Sequence, residues 1–317
     1  MGRSEYSRQV VIGDKLPPSV LQSLEVRFDV IHATDDHSLS QLDLCPARVL
    51  VVGGPNRVDP DLLQRMPALE LLAVLGSGYE GVDLKLARAR NIKVTHAGGV
   101  TAGDVSDYAV GLMIALVRGV VSGDAFIRAN SWPTSTRAYH RSLAGMKMGI
   151  AGFGAIGSAL AARLQAFGCQ IAWTGRRERR DVEFTRYSDV GALAAASDVL
   201  FVTLRADATN FDIIDAAVLD QLGPTGYLIN VSRGTAVEEG ALIKALQSGR
   251  LGGAALDVFK EEPTAGDKWL DVPNLILSPH QAGMTDENIE CVNQRLIENL
   301  ERFFGGQVLL DEVGYGR

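Results

Sequence analysis

The 317-residue chain is poor in cysteine, has no excess of basic residues and contains no long apolar run. Its three cysteines, Cys45, Cys169 and Cys291, are odd in number and far apart, which argues against a disulfide framework and fits a reducing compartment. The net charge of −7 argues against nucleic acid or an anionic membrane as the main partner, since either would favour a basic surface. No transmembrane segment or signal peptide is recognisable, so we expect a cytoplasmic protein.

The length exceeds that of a typical domain and predicts two domains. Strand-like apolar runs lie at residues 9–12, 26–31, 48–52, 71–75, 92–95, 148–151, 170–174, 199–204, 227–231, 253–257 and 275–278. Helical stretches lie between and after them, at residues 235–248 and 286–304 among others, and this alternation is typical of parallel α/β sheets. We therefore predict two Rossmann-like domains, with a dinucleotide-binding domain at residues 100–282 inserted into a discontinuous substrate domain of residues 1–99 and 283–317.

The stretch that organises the chain is a Gly-x-Gly-x-x-Gly turn formed by Gly152, Gly154 and Gly157. An apolar strand precedes it and an amphipathic helix follows, which is the context that a dinucleotide-binding turn requires. The first glycine permits the tight turn, the second lets the backbone approach a pyrophosphate, and the third lets the helix pack on the sheet. A purely structural turn is the alternative interpretation; we favour dinucleotide binding.

The end of the next strand bears on the choice of dinucleotide. NAD-selective forms of this motif place an acidic residue there to bind the ribose 2′-hydroxyl, whereas this chain has Gly175 followed by Arg176 and Arg177. Arginine can pair bidentately with a 2′-phosphate, so the pattern favours NADP over NAD. A solvated basic loop is the alternative.

Three later segments follow predicted strands and carry Arg233, Glu262 and His280. Parallel strands bring such segments to the edge where ligands bind in open α/β sheets. Reduction of a 2-oxo acid needs these groups: a histidine to protonate the carbonyl oxygen, a carboxylate to orient the imidazole and an arginine to hold the substrate carboxylate. Each residue alone would also fit a surface turn or a structural role, so the prediction depends on their joint placement.

Two other stretches leave alternatives open. The glycine-rich turn at residues 75–83 would present main-chain amides to a carboxylate, or would be a turn that needs positive φ angles. Helical spacing at positions 105–116 predicts one long helix beginning near Thr101. The irregular stretch 129–143 then contains Trp132, which would contact a partner subunit or cover a local apolar surface.

The sequence resembles the D-isomer-specific 2-hydroxyacid dehydrogenase family over nearly its whole length. The matching stretches are residues 78–83, 149–157, 230–234, 253–259, 262–263 and 278–280. The resemblance implies that Ser77 and Gly78 amides bind the substrate carboxylate and that Asp257 meets the nicotinamide carboxamide. It also implies a homodimer joined through the cofactor domains. Phe153, where leucine is frequent, and Arg205, where proline is usual, depart from the family pattern.

The resemblance and the arginine loop together predict NADPH-dependent reduction of small 2-oxo acids such as glyoxylate and hydroxypyruvate. Cofactor contacts are predicted at Gly152, Gly154, Ala155, Ile156, Gly157, Arg176, Arg177, Leu204, Val231, Asp257, His280 and Gly283, and no metal site is predicted. Alternatives are an NAD-linked D-lactate or D-3-phosphoglycerate dehydrogenase and, from another class, a non-catalytic NAD(P)-sensing regulatory protein.

The cofactor hypothesis leads to a first prediction. The double substitution Arg176→Ala with Arg177→Ala should weaken NADPH binding about tenfold to a hundredfold, because charged hydrogen bonds to the 2′-phosphate are lost. NADH, which lacks that phosphate, should bind nearly as before. Fluorescence titration of both reduced cofactors measures the two effects, and an equal loss for both would contradict the assignment.

Overall fold

A computed structural model describes residues 8–33, 44, 46–54, 57–132, 136, 138–176, 178–205 and 209–314. Arg177 and Cys45 lie outside the described residues. The chain divides into two compact units, the first formed by Met1–Thr101 and Thr285–Arg317 and the second by Ala102–Met284. Each unit contains a parallel β-sheet with helices, which confirms the predicted α/β class.

The first unit contains a five-stranded sheet in the order β2-β1-β3-β4-β5. Its strands are β1 (Gln9–Ile12), β2 (Asp29–His32), β3 (Val49–Gly53), β4 (Leu71–Leu75) and β5 (Lys93–Thr95). Its helices are α1 (Pro18–Glu25), α2 (Pro60–Gln64), α3 (Leu84–Ala89) and, after the second unit, α10 (Asp286–Phe304). The described strand pairs of this sheet are all parallel.

Helix α10 returns the chain to the first unit by burying one face of an amphipathic helix. Leu296 and Leu300 on that face pack with Val10, Val49 and Leu71 of the sheet. The opposite, polar face of α10 carries Glu298 and Arg302. The helical spacing of the apolar residues in the sequence therefore predicts which side of the helix faces the core.

The second unit contains a seven-stranded sheet in the order β12-β11-β10-β9-β6-β7-β8. Its strands are β6 (Lys147–Ala151), β7 (Gln170–Thr174), β8 (Thr185–Arg186), β9 (Val199–Val202), β10 (Tyr227–Asn230), β11 (Gly253–Leu256) and β12 (Leu275–Leu277). Its helices are α4 (Ala102–Val117), α5 (Val120–Arg128), α6 (Ala155–Ala166), α7 (Val190–Ala195), α8 (Ala216–Leu222) and α9 (Glu239–Gln247). The described pairs are again parallel.

Both faces of this second sheet are buried, which explains why its strands read as continuous apolar runs. One face packs against α4 and α6, with Met113, Leu160 and Phe201 in the same cluster. The other packs against α7, α8 and α9, with Leu193, Leu219 and Leu242 at its centre. The cofactor turn therefore rests on a sheet that is held from both sides.

The helix predicted to begin near Thr101 is confirmed as α4, which ends at Val117, and a separate helix, α5, follows in a segment for which no helix was predicted. Gly119 separates them with a φ of +62°, and a Cβ there would displace the ring of His140. Among the described residues no single helix is apolar and long enough to span a membrane, although α4 and α5, bent by 55°, meet that test together.

The helix predicted at 235–248 begins later, at Glu239. A 3₁₀ turn, Gly234–Ala236, occupies its expected start, and Val237 forms a parallel bridge with Ile214. This bridge takes up backbone groups that a longer helix would need. Hydrophobic periodicity does not distinguish the turn from a helix, because both place apolar residues three or four positions apart.

Candidate active site

The candidate site lies at the carboxyl edge of the second sheet. Neighbouring strands β10, β11 and β12 end there, and the segments that follow them carry Arg233, Glu262 and His280. The glycine turn follows β6 at the same edge, beside β9, where the order of strands along the sheet reverses. Ligands bind at such reversal points in open parallel sheets.

The glycine turn has the backbone geometry that its residues predict. Gly152 has a φ of +100°, and a Cβ there would lie 2.8 Å from the backbone of Thr203 and Leu204. A Cβ at Gly157 would overlap the carbonyl oxygen of Gly152. Both positions therefore exclude any side chain, so the turn and α6 pack at backbone distance.

Gly154 differs from these two glycines because it faces open space. A Cβ at Gly154 would meet no heavy atom within 4 Å, and the residue is exposed at the N-cap position of α6. The first intrahelical bond is donated by Ser158 to the carbonyl of Gly154, so the amides of Ala155, Ile156 and Gly157 precede the helical ladder. These amides and the positive helix end fit a pyrophosphate over Gly154.

Leu204 and Val231, also predicted to contact the cofactor, follow the neighbouring strands β9 and β10. Leu204 is half-buried, and Val231 is 5% exposed. Thr203, just before Leu204, donates its hydroxyl to the Gly152 carbonyl at 2.6 Å and thereby ties the end of β9 to the glycine turn. Gly283, the last predicted contact, is half-buried after the His280 segment.

The loop after β7 contains the residues predicted to select the cofactor. Arg176 is exposed, and Gly175 stands where an acidic residue would bind a ribose hydroxyl. The Gly175 carbonyl accepts a 2.8 Å bond from Arg186, which also lies over the ring of Trp173. Sequence reasoning did not identify Arg186, because it follows the motif by ten residues and belongs to an edge strand.

Three carboxylates occur in this loop, the exposed Glu178 and Glu183 and the arginine-bound Asp181. Asp181 accepts two bonds from Arg179, at 2.9 and 2.6 Å, and this pairing, followed by a backbone hydrogen bond, lowers the pKa of Asp181 to about 2. Arg179 also contacts the Phe153 carbonyl of the glycine turn at 3.4 Å. Asp181 thus holds Arg179 beside the glycine turn.

Phe153 is accommodated by neighbouring aromatic rings. It is 8% exposed, and its ring centroid lies 4.9 Å from that of Trp173 and 6.1 Å from that of Phe184. The phenylalanine that stands where the family often has leucine therefore packs on the buried side of the glycine turn. Arg205, the other departure, is exposed after β9, and its carbonyl accepts a bond from Asn210 at 2.7 Å.

The turn that carries Arg233 is fixed by Asn230. The Asn230 side chain accepts the amide and hydroxyl of Ser232, at 3.0 and 2.9 Å, and donates to the Arg233 carbonyl at 3.0 Å. Asn230 is fully buried, so these bonds satisfy an amide that would otherwise be costly to bury. Arg233 itself donates to the Ser232 carbonyl at 2.7 Å.

Asp257 holds the segment that contains His280. Its two carboxylate oxygens accept the Ser278 hydroxyl at 2.6 Å and the amides of Gln281 and Ala282 at 2.9 Å each, and Asp257 is 1% exposed. The carbonyl of Asp257 accepts the His280 amide at 2.8 Å. These bonds outweigh the cost of the positive φ of His280, +49°, in a region unfavourable to non-glycine residues.

Glu262 and His280 are in direct contact. Glu262 Oε2 lies 2.6 Å from His280 Nδ1, and both side chains are about one-third exposed, at 33% and 39%. The other carboxylate oxygen accepts the Phe259 amide at 2.9 Å. A carboxylate can only accept a hydrogen bond, so Nδ1 carries a hydrogen. The second ring nitrogen, Nε2, does not take part in this contact.

Ser77 and Gly78 belong to the first unit, in the turn after β4. The Ser77 carbonyl lies 2.8 Å from Nδ1 of His96, and the Ser77 hydroxyl lies 2.9 Å from that of Thr101. The ring of His96 also stacks edge-on against Tyr79, with centroids 4.8 Å apart. Sequence reasoning did not identify His96, which lacks any local motif.

Comparison with known proteins identifies the family. The sequence profile of the D-isomer specific 2-hydroxyacid dehydrogenase NAD binding domain matches residues 110–282, more than half of the chain. The chain belongs to this dehydrogenase family. It is therefore an oxidoreductase, and its second unit contains the family's NAD(P)-binding domain, whose glycine turn has the open backbone that the cofactor requires.

Similar proteins cover nearly the whole chain. The 2-ketogluconate reductase of Gluconobacter oxydans (strain 621H) is 38% identical over 301 residues, 95% of this chain and 96% of its own. The glyoxylate/hydroxypyruvate reductase HPR3 of Arabidopsis thaliana is 35% identical over 84% of this chain and 83% of its own. A solved NADPH-dependent glyoxylate/hydroxypyruvate reductase of Sinorhizobium meliloti, in complex with NADP and malonate, is 34% identical with a TM-score of 0.89 over 97% of each chain.

The turn that carries Arg233 and the loop that carries Glu262 are in backbone contact. A Cβ at Gly234 would overlap the carbonyl group of Phe259 and the amide of Lys260. The two loops therefore approach as closely as a glycine allows.

In the part of the chain that the structure describes, no cluster of three or more His, Cys, Asp or Glu side chains is arranged to hold a metal ion.

The contact at Gly234 gives a second prediction. Gly234→Ala should lower the free energy of unfolding by about 2–4 kcal/mol, because the methyl group would force the two loops apart. Gly240→Ala is the matched control, since that exposed glycine in α9 has no heavy atom within 4 Å and alanine favours a helix. Urea unfolding of both variants measures the difference, and equal midpoints would contradict the packing argument.

Proposed function

We propose that this protein reduces small 2-oxo acids with NADPH, with glyoxylate and hydroxypyruvate as favoured substrates. The observation that carries the proposal is the Glu262–His280 contact of 2.6 Å at the carboxyl edge of a cofactor-binding sheet. Hydride transfer to a carbonyl carbon needs a proton donor for the carbonyl oxygen, and this histidine, paired with a carboxylate, is suited to that role. The named relatives, which are reductases, support the same reaction.

His280 has the role of proton donor in this proposal. Bound NADPH supplies the hydride to the 2-oxo carbon. Because Glu262 occupies Nδ1, the proton passes to the substrate oxygen from Nε2, and the carboxylate fixes the orientation of the imidazole. In the reverse direction the same nitrogen takes the proton from the hydroxyl group.

Arg233 holds the substrate carboxylate in this proposal. Its guanidinium presents a planar fork of donors, which matches a carboxylate and also stabilises charge on the adjacent carbonyl oxygen. The Asn230 bonds fix the turn from which the side chain extends. The amides of Ser77 and Gly78 are proposed as the second carboxylate contact, and Asp257 as the contact of the nicotinamide carboxamide.

The preference for NADPH is supported by charge around the β7 loop. Gly175 leaves no carboxylate to repel a 2′-phosphate, Arg176 is exposed, and the nearby Asp181 is bound by Arg179. The Sinorhizobium meliloti relative is named as NADPH-dependent. An NAD-linked dehydrogenase is the alternative within the family.

A larger substrate is a second candidate. The 2-ketogluconate reductase of Gluconobacter oxydans is 38% identical across 95% of the chain, and 2-ketogluconate is itself a 2-oxo acid. The same His280, Glu262 and Arg233 chemistry would serve both substrates, so the difference lies in how much space the substrate side chain has.

We also propose that the protein is a homodimer whose second copy covers α5. None of the nine residues of this helix is buried, and Val120, Val121 and Ile127 are 55%, 53% and 50% exposed. Trp132, just beyond the helix, is 56% exposed. Apolar side chains clustered on an exposed helix mark an interaction surface, and a second copy supplies the same apolar surface in return.

This leads to a third prediction. Val121→Glu with Ile127→Glu should convert the dimer into a monomer of about the chain mass, 33.9 kDa, because charges would be buried without partners. Leu270→Glu, at a residue 79% exposed elsewhere in the second unit, should leave the dimer intact. Sedimentation velocity measures the masses, and a monomeric unmodified protein would refute the proposed interface.

The function is tested by a fourth prediction. Steady-state rates with glyoxylate, hydroxypyruvate, 2-ketogluconate and pyruvate, each with NADPH and with NADH, should show the highest kcat/KM for NADPH with glyoxylate or hydroxypyruvate. His280→Ala should reduce kcat by about 10²–10⁴-fold with the best pair, because the proton donor is removed.

Several outcomes would change the assignment. Highest efficiency with 2-ketogluconate would select the larger substrate, and a preference for NADH would select the NAD-linked alternative. Turnover of none of these acids, despite tight NADPH binding, would favour a sensing protein without catalysis. Near-normal kcat for His280→Ala would remove His280 from the mechanism.

A further inference from the structure

We propose that Glu239, a buried carboxylate outside the assigned site, is a positioning residue that holds Glu262 against His280. The inference rests on the proposed function, because it concerns the proton donor of that reaction. Glu239 opens α9 and is 3% exposed. A carboxylate at that depth is costly unless it is paired and hydrogen-bonded, so its partners indicate what it holds.

Both oxygens of Glu239 bind the segment that leads to or follows Glu262. Oε1 accepts the backbone amide of Lys260 at 2.8 Å, two residues before Glu262. Oε2 pairs with the ammonium group of Lys268, in the 3₁₀ turn Gly266–Trp269 that follows the loop. One buried side chain therefore anchors the loop on both sides of Glu262.

The anchored amide lies next to the one that orients Glu262 itself. Glu262 Oε1 accepts the Phe259 amide at 2.9 Å, and Oε2 contacts His280 Nδ1 at 2.6 Å. The consecutive amides of Phe259 and Lys260 thus bind two different carboxylates. If Glu239 releases the Lys260 amide, the loop loses an anchor next to the Phe259 amide, which is the group that holds the second oxygen of Glu262.

The other charged side chains of the loop do not replace Glu239. The ammonium of Lys260 forms an ion pair with Asp212 at 2.5 Å and lies over the ring of Phe211. Asp257 binds the His280 segment instead, and Glu261, Asp267 and Asp271 are exposed.

The consequence for catalysis follows from the contact between Glu262 and the imidazole. In the proposed function this contact holds the ring so that Nε2 faces the substrate oxygen, and a displaced Glu262 lets the ring turn away. Proton transfer then becomes slower, whereas cofactor binding does not change. Glu239 acts on this step without touching substrate or cofactor.

The test compares Glu239→Ala and Glu239→Gln in the full-length protein. Glu239→Ala should reduce kcat for 2-oxo acid reduction by about tenfold to a hundredfold and change the KM for NADPH by less than about twofold, because proton transfer is affected and cofactor binding is not. Glu239→Gln retains an oxygen for the Lys260 amide, so its kcat should match that of the unmodified protein. Glu238→Ala, at the preceding glutamate, should change neither quantity.

A further variant covers the case in which Glu239→Ala does not fold. Glu239→Asp keeps the charge but withdraws the oxygens by one carbon–carbon bond, so it should lower kcat at an unchanged KM for NADPH, as alanine does. An unchanged kcat for Glu239→Ala, or for Glu239→Asp where alanine does not fold, would refute the positioning role even if stability falls, and so would a kcat that Glu239→Gln does not restore. Failure of the proposed function is distinguishable, because the unmodified protein would then reduce no 2-oxo acid or His280→Ala would retain its turnover.

Discussion

Parallel pairing of β10, β11 and β12 is the constraint on which the site depends. Because parallel strands end at the same edge, three segments that are far apart in sequence are brought to neighbouring positions. The sheet supplies only this coarse placement. Finer placement comes from buried polar side chains at the strand ends: Asn230 for the arginine turn and Asp257 for the histidine segment.

These buried groups follow one physical rule. Asn230, Asp257 and Glu239 are each at most 3% exposed, and each uses its polar atoms to bind backbone amides or hydroxyls of a loop. Burial makes an unpaired donor or acceptor expensive, so every such loop has one favoured conformation. The groups assigned to chemistry, Glu262 and His280, are by contrast partly exposed and accessible to a ligand.

Much of this architecture can be predicted from the sequence, because apolar runs and glycine spacing are local signals. The bounds of β1, β4, β7 and α10 agree with the sequence prediction residue for residue. The break at Gly119 and the late start of α9 were missed, since they depend on a distant ring and on a bridge to Ile214. Glu239 was missed for a related reason: a glutamate in the first turn of a helix is usually solvated, and only the tertiary structure shows its burial.

The side-chain-free contact at Gly234 has a consequence for how this protein can diversify. The loops that carry the guanidinium and the carboxylate are interlocked, so neither can lengthen or tilt without the other. Insertions or deletions in either loop are therefore disfavoured near Gly234, whereas loops without such a backbone contact have more room to change length.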